Sequence, residues 1–154
     1  MKFISHRGNL YGQDLSTENS PEQIKKCIEL GYDVEIDLWS IEDQLYLGHD
    51  EPKYQIDPKW ILSYDKHIWV HCKNKEALDF CMTEKGPSNF FSHDRDEYTI
   101  TYAGYIWANI GILPIQNTII VMPEKAFWNS DHIRKLNPEG ICSDIIVQYK
   151  EELC

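Results

Sequence analysis

Asp33-Val34-Glu35-Ile36-Asp37-Leu38-Trp39 is the stretch on which the reading of this chain turns. Its apolar residues recur with a period of two, the signature of a β-strand that buries one face. Val34, Ile36 and Leu38 share that face, and Asp33, Glu35 and Asp37 fall on the other. Carboxylates set side by side are costly to bury unless a cation neutralises them. Hard divalent cations prefer such oxygen ligands, and Mg²⁺ often takes only one or two protein carboxylates. Without a cation the pair repels, so neutralising Glu35 and Asp37 together is expected to leave the fold intact or steadier. The same alternation also suits a half-exposed strand with a solvated acidic face. The neighbouring sequence shifts the balance.

Upstream, Phe3-Ile4-Ser5 leads straight into His6-Arg7-Gly8, and downstream Leu45-Tyr46-Leu47-Gly48 leads into His49-Asp50. Histidine exchanges protons near neutral pH, and arginine binds a phosphate through two nitrogens. Two histidines allow one to take a proton from a nucleophile while the other gives one to a leaving oxygen. Ile68-Trp69-Val70-His71-Cys72-Lys73 repeats the alternation, with His71 and Lys73 on one face. A lysine beside an imidazole ligand could meet a phosphate as a point charge, although Lys73 could equally just begin the loop before the next helix. Cys72 has the wrong parity for a ligand and reads as packing. His93 and Trp107 could line a pocket, although core or rim packing is the plainer reading of each. His67 and His132 read as surface residues. There is no GxSxG, GxGxxG or P-loop, so nucleophilic serine chemistry and nucleotide cradles have no support.

Bulk properties set the frame. The 154 residues suit one domain with a real core, spanning residues 1–154. Fifteen basic against twenty-five acidic residues give a net charge of −10. Such a surface repels nucleic acid and anionic lipid, so a small-molecule partner is expected and a nucleic-acid partner is not. Any phosphate must then be met by a metal or by a few placed cations, which singles out Arg7 and Lys73. No apolar run approaches membrane-spanning length, and Lys2–His6 turns polar too early for a signal peptide. Five cysteines without CxxC spacing argue against a disulfide scaffold and for reduced thiols in a cytoplasm. Nothing in the sequence specifies an oligomeric state.

Along the chain, strand and helix signals alternate. Ser20-Pro21-Glu22-Gln23 predicts a helix start with a capping box closed by Gln23, and Gly31 is placed to end that helix. Asp57-Pro58 and Asn74 open two more helices, and Ser130 is expected to cap another through Leu136. Strands are expected at 2–6, 33–39, 45–49, 68–73, 90–93, 98–102, 105–109, 118–122 and 140–143. Strand, helix, strand with short connections predicts a mostly parallel sheet, with the polar clusters gathered at its carboxyl edge.

Taken in order, His6-Arg7-Gly8, Glu18-Asn19, Gly31-Tyr32 leading into Glu35-Ile36-Asp37, and His49-Asp50 resemble the opening pattern of the glycerophosphodiester phosphodiesterase family. That family lies within the phospholipase-C-like phosphodiesterases. Gly140-Ile141-Cys142-Ser143-Asp144 is similar to the family's final strand. Where the family carries an acidic third ligand two residues before a lysine, this chain has His71 before Lys73. The resemblance implies an α/β fold, a compact (β/α)8 TIM-type barrel whose helices must here be reduced or missing, since such barrels usually need roughly 250 residues. It implies a metal-dependent phosphodiester hydrolase with His6 and His49 as the acid/base pair. Glu35, Asp37 and His71 would hold one divalent cation, Mg²⁺ or Ca²⁺ first, with His71 admitting Mn²⁺ or Zn²⁺. Arg7, Lys73 and Trp107 would contact the substrate, and Glu18, Asn19 and Asp50 would support the site. Two alternatives stand beside it: a degenerate barrel that binds a phosphorylated ligand without turnover, and a protein-interaction domain.

Overall fold

The computed structural model describes residues 1–154. In chain order the elements are β1 (Lys2–His6), α1 (Pro21–Glu29), β2 (Asp33–Ile41), β3 (Gln44–Leu47), β4 (Tyr54–Ile56), α2 (Pro58–Ser63), β5 (Ile68–Cys72) and α3 (Lys75–Cys81). There follow β6 (Phe90–Phe91), β7 (Tyr98–Ile100), β8 (Ile106–Ala108), β9 (Thr118–Val121), a 3₁₀ turn (Pro123–Ala126), α4 (Ser130–Leu136), β10 (Gly140–Ser143) and α5 (Ile146–Leu153). No helix is long and apolar enough to cross a membrane.

Helix starts follow local chemistry. Ser20, Asp57, Asn74 and Asn129 each place a side-chain oxygen on a first-turn amide, satisfying an otherwise orphaned donor. The expected capping box is only half made. Ser20 Oγ accepts from Gln23 N at 3.2 Å, but the Gln23 amide reaches away to donate to Gly8 O at 2.8 Å. Asn129, not Ser130, caps α4, its Oδ1 accepting from His132 N at 2.9 Å. The short β4 and the final helix α5 have no counterpart among the sequence expectations.

The expected (β/α)8 barrel is not what forms. Six parallel pairings give the order β6-β5-β2-β1-β10-β9-β8, whose end strands β6 and β8 do not pair with each other. Antiparallel β3 and β4 extend β2, and β7 lies antiparallel on β8. The result is a mixed ten-stranded sheet curled into a half-barrel, with five short helices. The reason is length. A parallel crossover through a helix takes ten to a dozen residues or more, and the segments between β6 and β9 are spent on β7 and on loops instead.

The two faces of the sheet carry different cores. The convex face packs against helices through Val34, Ile36, Leu38, Val70, Ile120 and Ile141, all within the larger hydrophobic cluster. The concave face holds a smaller cluster of Ile4, Trp69, Phe91, Trp107, Ile119, Val121 and Cys142. Inward parity then runs from apolar to polar toward the carboxyl ends: Ile4 to His6, Trp69 to His71, Phe91 to His93, Trp107 to Asn109, and Cys142 to Asp144. Cys72 packs on the convex side, as its parity requires, and all five cysteines are free.

One edge of β2 is shared by two strands. The Glu35 carbonyl accepts from Arg7 N and the Asp37 carbonyl from Gly48 N, while Leu38 O on the other edge accepts from Lys73 N. Where β1 ends, β3 takes over its place beside β2. The connection from β2 to β3 is the pair Glu42–Asp43, both left-handed (φ 48° and 62°), which closes a two-residue hairpin between paired Ile41 and Gln44.

Candidate functional site

The carboxyl ends of the parallel strands enclose a cavity of about 260 Å³. His6, Arg7, Glu35, His49, His71 and Lys73 line one side, and His93, Asp94, Trp107, Asn109, Val121 and Met122 the other. Apart from Asp37, which lies sealed beneath, the expected catalytic, cation-holding and substrate-contacting residues therefore all meet in one place. Trp107 is only 3% exposed and packs, tilted by 32°, against Phe91 at 4.6 Å, so it serves as floor more than as a contact surface.

Asp37 is the hub. Its Oδ2 accepts from Asn19 Nδ2 at 2.9 Å and lies 3.1 Å from Arg7 Nε and 3.4 Å from His49 Nδ1. Its Oδ1 lies 3.1 Å from His71 Nδ1 and 3.5 Å from Lys73 Nζ. Asn19 closes a reciprocal pair by accepting from Asp37 N at 2.9 Å, a geometry reached through a left-handed backbone at φ 58°. Burial pushes the Asp37 carboxyl up, but His49, His71 and Arg7 outweigh it and hold the group well below its ordinary range. Glu35 shows the opposite balance. Burial and the charge of Asp37 raise it well above the usual range, and its Oε2 has no hydrogen-bond partner. Burial pulls Arg7 down, yet Glu35, Asp37, Glu18 and Asp144 together raise it further.

The two histidines differ in company. His6 is 6% exposed; its Nδ1 faces Asp144 Oδ1 at 2.7 Å, and Nε2 lies 3.9 Å from Glu35 Oε2. Burial raises Asp144, but the His6 and Asn9 hydrogen bonds bring it below its ordinary value. His49 is half-buried, with Nε2 accepting from Arg7 Nη2 at 3.2 Å and Nδ1 facing Asp37. Among the expected supporting residues, Glu18 accepts from Asn9 Nδ2 at 2.8 Å and lies 3.6 Å from Arg7 Nη1. Asp50 stands exposed at the rim, 3.5 Å from His49 Nε2.

Three of these groups could hold a metal ion. Ligand atoms of Glu35, Asp37 and His71 lie within 4.8 Å of one another. The His71 Nε2 faces the His93 carbonyl at 3.4 Å, so the ring presents Nδ1 toward Asp37 Oδ1 and toward Glu35 Oε1 at 3.9 Å. Of the three, Asp37 already faces Arg7, His49, His71 and Lys73, whereas Glu35 Oε2 has no hydrogen-bond partner, so Glu35 is the group left open to a cation.

Several residues of the site were not expected. Asp144 orients His6, and Asn9 bridges it to Glu18, with Nδ2 2.9 Å from Asp144 Oδ1. Asn109 also faces the cavity, as does His93, for which core or rim packing is the plainer reading of the sequence; burial and neighbouring His71 lower His93 to about 4. The alternation of Cys142 and Asp144 carried a readable signal for Asp144, whereas Asn9 lies in a loop with no periodicity. No family model, curated protein or solved structure matches this chain.

Proposed function

We propose that this chain is a metal-dependent phosphodiester hydrolase, similar to glycerophosphodiester phosphodiesterases in its polar clusters, acting on a small-molecule diester. The observation that carries the reading is the buried His6–Asp144 pair, at 2.7 Å, beside a cavity walled by Arg7 and Lys73. With Nδ1–H committed to a carboxylate, His6 presents Nε2 to the cavity as a base, an orienting logic general to histidine catalysis. Arg7 and Lys73 supply the local positive charge that a protein of net charge −10 must place by hand to hold a phosphate. His49, at the mouth, would give a proton to the leaving alcohol from Nε2, which takes that proton from solvent once Arg7 turns from it to the phosphate. A divalent cation on Glu35, Asp37 and His71 would polarise a phosphoryl oxygen and offset developing negative charge. Mg²⁺ or Ca²⁺ suits the carboxylates, and Mn²⁺ or Zn²⁺ the imidazole. A cytoplasmic setting fits the free thiols, and the acidic charge speaks against a nucleic-acid partner.

The test is turnover of glycerophosphodiesters and bis-p-nitrophenyl phosphate in the presence of each metal. His6→Asn and His49→Asn should lower kcat by roughly 10²- to 10⁴-fold while leaving KM little changed, since proton transfer acts in the transition state. Unchanged turnover in both variants would remove the catalytic assignment. A second reading, a phosphate binder without turnover, is favoured by one feature: Arg7 already occupies the His49 Nε2 lone pair. Saturable diester binding with no hydrolysis under any metal would select it.

A further inference from the structure

We infer that Glu124 is a positioning residue for His6, acting through Asp144. This rests on the reading of His6 as the base. Glu124 lies in the 3₁₀ turn after β9, outside the cavity wall, yet its carboxylate grips the turn that follows β10. Its Oε1 accepts from Asp144 N at 3.1 Å, and its Oε2 accepts from Ser143 Oγ at 2.9 Å. Ser143 Oγ in turn accepts from Ile145 N at 2.9 Å, so one carboxylate organises three consecutive residues. Asp144 is thereby presented with Oδ1 on His6 Nδ1 at 2.7 Å and on Asn9 Nδ2 at 2.9 Å.

The backbone around Glu124 is shaped for this reach. Met122 and Phe127, at the two ends of the turn, are both left-handed, with φ 43° and 59°. Non-glycine residues hold such conformations only where the surroundings over-determine them. Here Met122 N is tied to Cys142 O at 2.7 Å, which folds the turn back over the end of β10. A side chain that only solvated a loop would need neither the strained bracket nor two acceptors spent on a neighbouring strand. The consequence for His6 is tautomeric. With Asp144 fixed, the proton stays on Nδ1 and Nε2 faces the cavity; with Asp144 loosened, the ring is free to turn or exchange tautomers.

The experiment reads the ring directly by proton and nitrogen NMR, so it does not depend on any substrate. The wild-type protein should show a downfield, exchange-protected Nδ1–H resonance that His6→Ala removes. Glu124→Ala should abolish it or move it upfield with the amide spectrum otherwise retained, and Glu124→Gln, which can still accept from Asp144 N, should largely restore it. Turnover of bis-p-nitrophenyl phosphate should fall in kcat, not KM, in Glu124→Ala and recover in Glu124→Gln. Should Glu124→Ala fail to fold, Ser143→Ala cuts one of the two anchors alone and must still move the resonance. A wild-type resonance that stays put in the folded variants, or is missing from the wild type, overturns the inference. Ring effects as expected without any turnover would keep the positioning role and overturn only the hydrolase reading.

Discussion

Between Lys2 and Cys81 the parallel strands β1, β2 and β5 are backed by helices on their convex side, whereas between Asn89 and Asn117 the chain passes through β6, β7 and β8 with no helix at all. The first region supplies Arg7, Glu35, Asp37, His49, His71 and Lys73 to the cavity end of the sheet. The second supplies His93, Trp107 and Asn109, and leaves Ile100 73% and Tyr102 65% exposed. The contrast teaches where buried charge can be kept. A network centred on a fully buried carboxylate needs its backbone held from both faces, because a half-satisfied polar network costs more than none. An aromatic floor is less demanding, since dispersion contacts tolerate small shifts.

The sharpest way to break this comparison is Asp37→Asn. Arg7 and Lys73 would lose the charge that compensates them, so unfolding by urea should show a loss of about 3–5 kcal/mol. The expectation that neutralising both carboxylates leaves the fold intact or steadier treats them alike, whereas Asp37 is compensated by Arg7 and Lys73 and Glu35 Oε2 has no partner. Glu35→Gln should cost little or even stabilise, given the raised Glu35 carboxyl, while weakening the divalent-cation binding proposed above in a calorimetric titration. An equal loss in both variants would mean that the network is not organised around Asp37.

Next in size is Gly48→Ala, which probes the junction of β3 and His49. Gly48 has φ 154°, and a Cβ there would stand 2.0 Å from the Glu51 carbonyl oxygen. Overpacking of this kind should cost about 1–3 kcal/mol and displace His49, visible as a changed His49 ring resonance. Asn74→Ala should follow at about 1–2 kcal/mol. It removes the cap on Ala77 N at 3.0 Å together with the Ser40 contacts that tie α3 to β2. The smallest effect belongs to the helix-free region: Ile100→Ser should stay within about 0.5 kcal/mol. Amide exchange in β7 and β8 should also run well ahead of that in β1, β2 and β5. Uniform protection across the sheet would erase the distinction between the two regions.

What could be read from sequence followed the same division. The period of two in β2 and β5 put Glu35, Asp37, His71 and Lys73 on one face because successive side chains of a pleated strand point to opposite sides. Caps at Ser20, Asp57 and Asn74 were legible because their chemistry is local. Closure was not legible. Whether β6 meets β8 depends on the lengths of segments around Tyr98–Ile100, where a strand signal reads alike for a parallel barrel stave and an antiparallel edge. Asn9 and Glu124 escaped because each acts across the fold, on residues more than a hundred and about twenty positions away, respectively. No residue near either announces that partner.

The hairpin at Glu42–Asp43 can be viewed as a ruler. Two left-handed residues fix the distance along the chain from Asp37 to His49, and with it whether the His49 imidazole joins His71 against Asp37. Because strand registry advances in single residues that alternate faces, the ruler has no fractional settings. Dropping either residue would turn Leu45 and Leu47 outward and Tyr46 inward, and would carry His49 away with them. A length of two is therefore as much a part of this site as any of its charges.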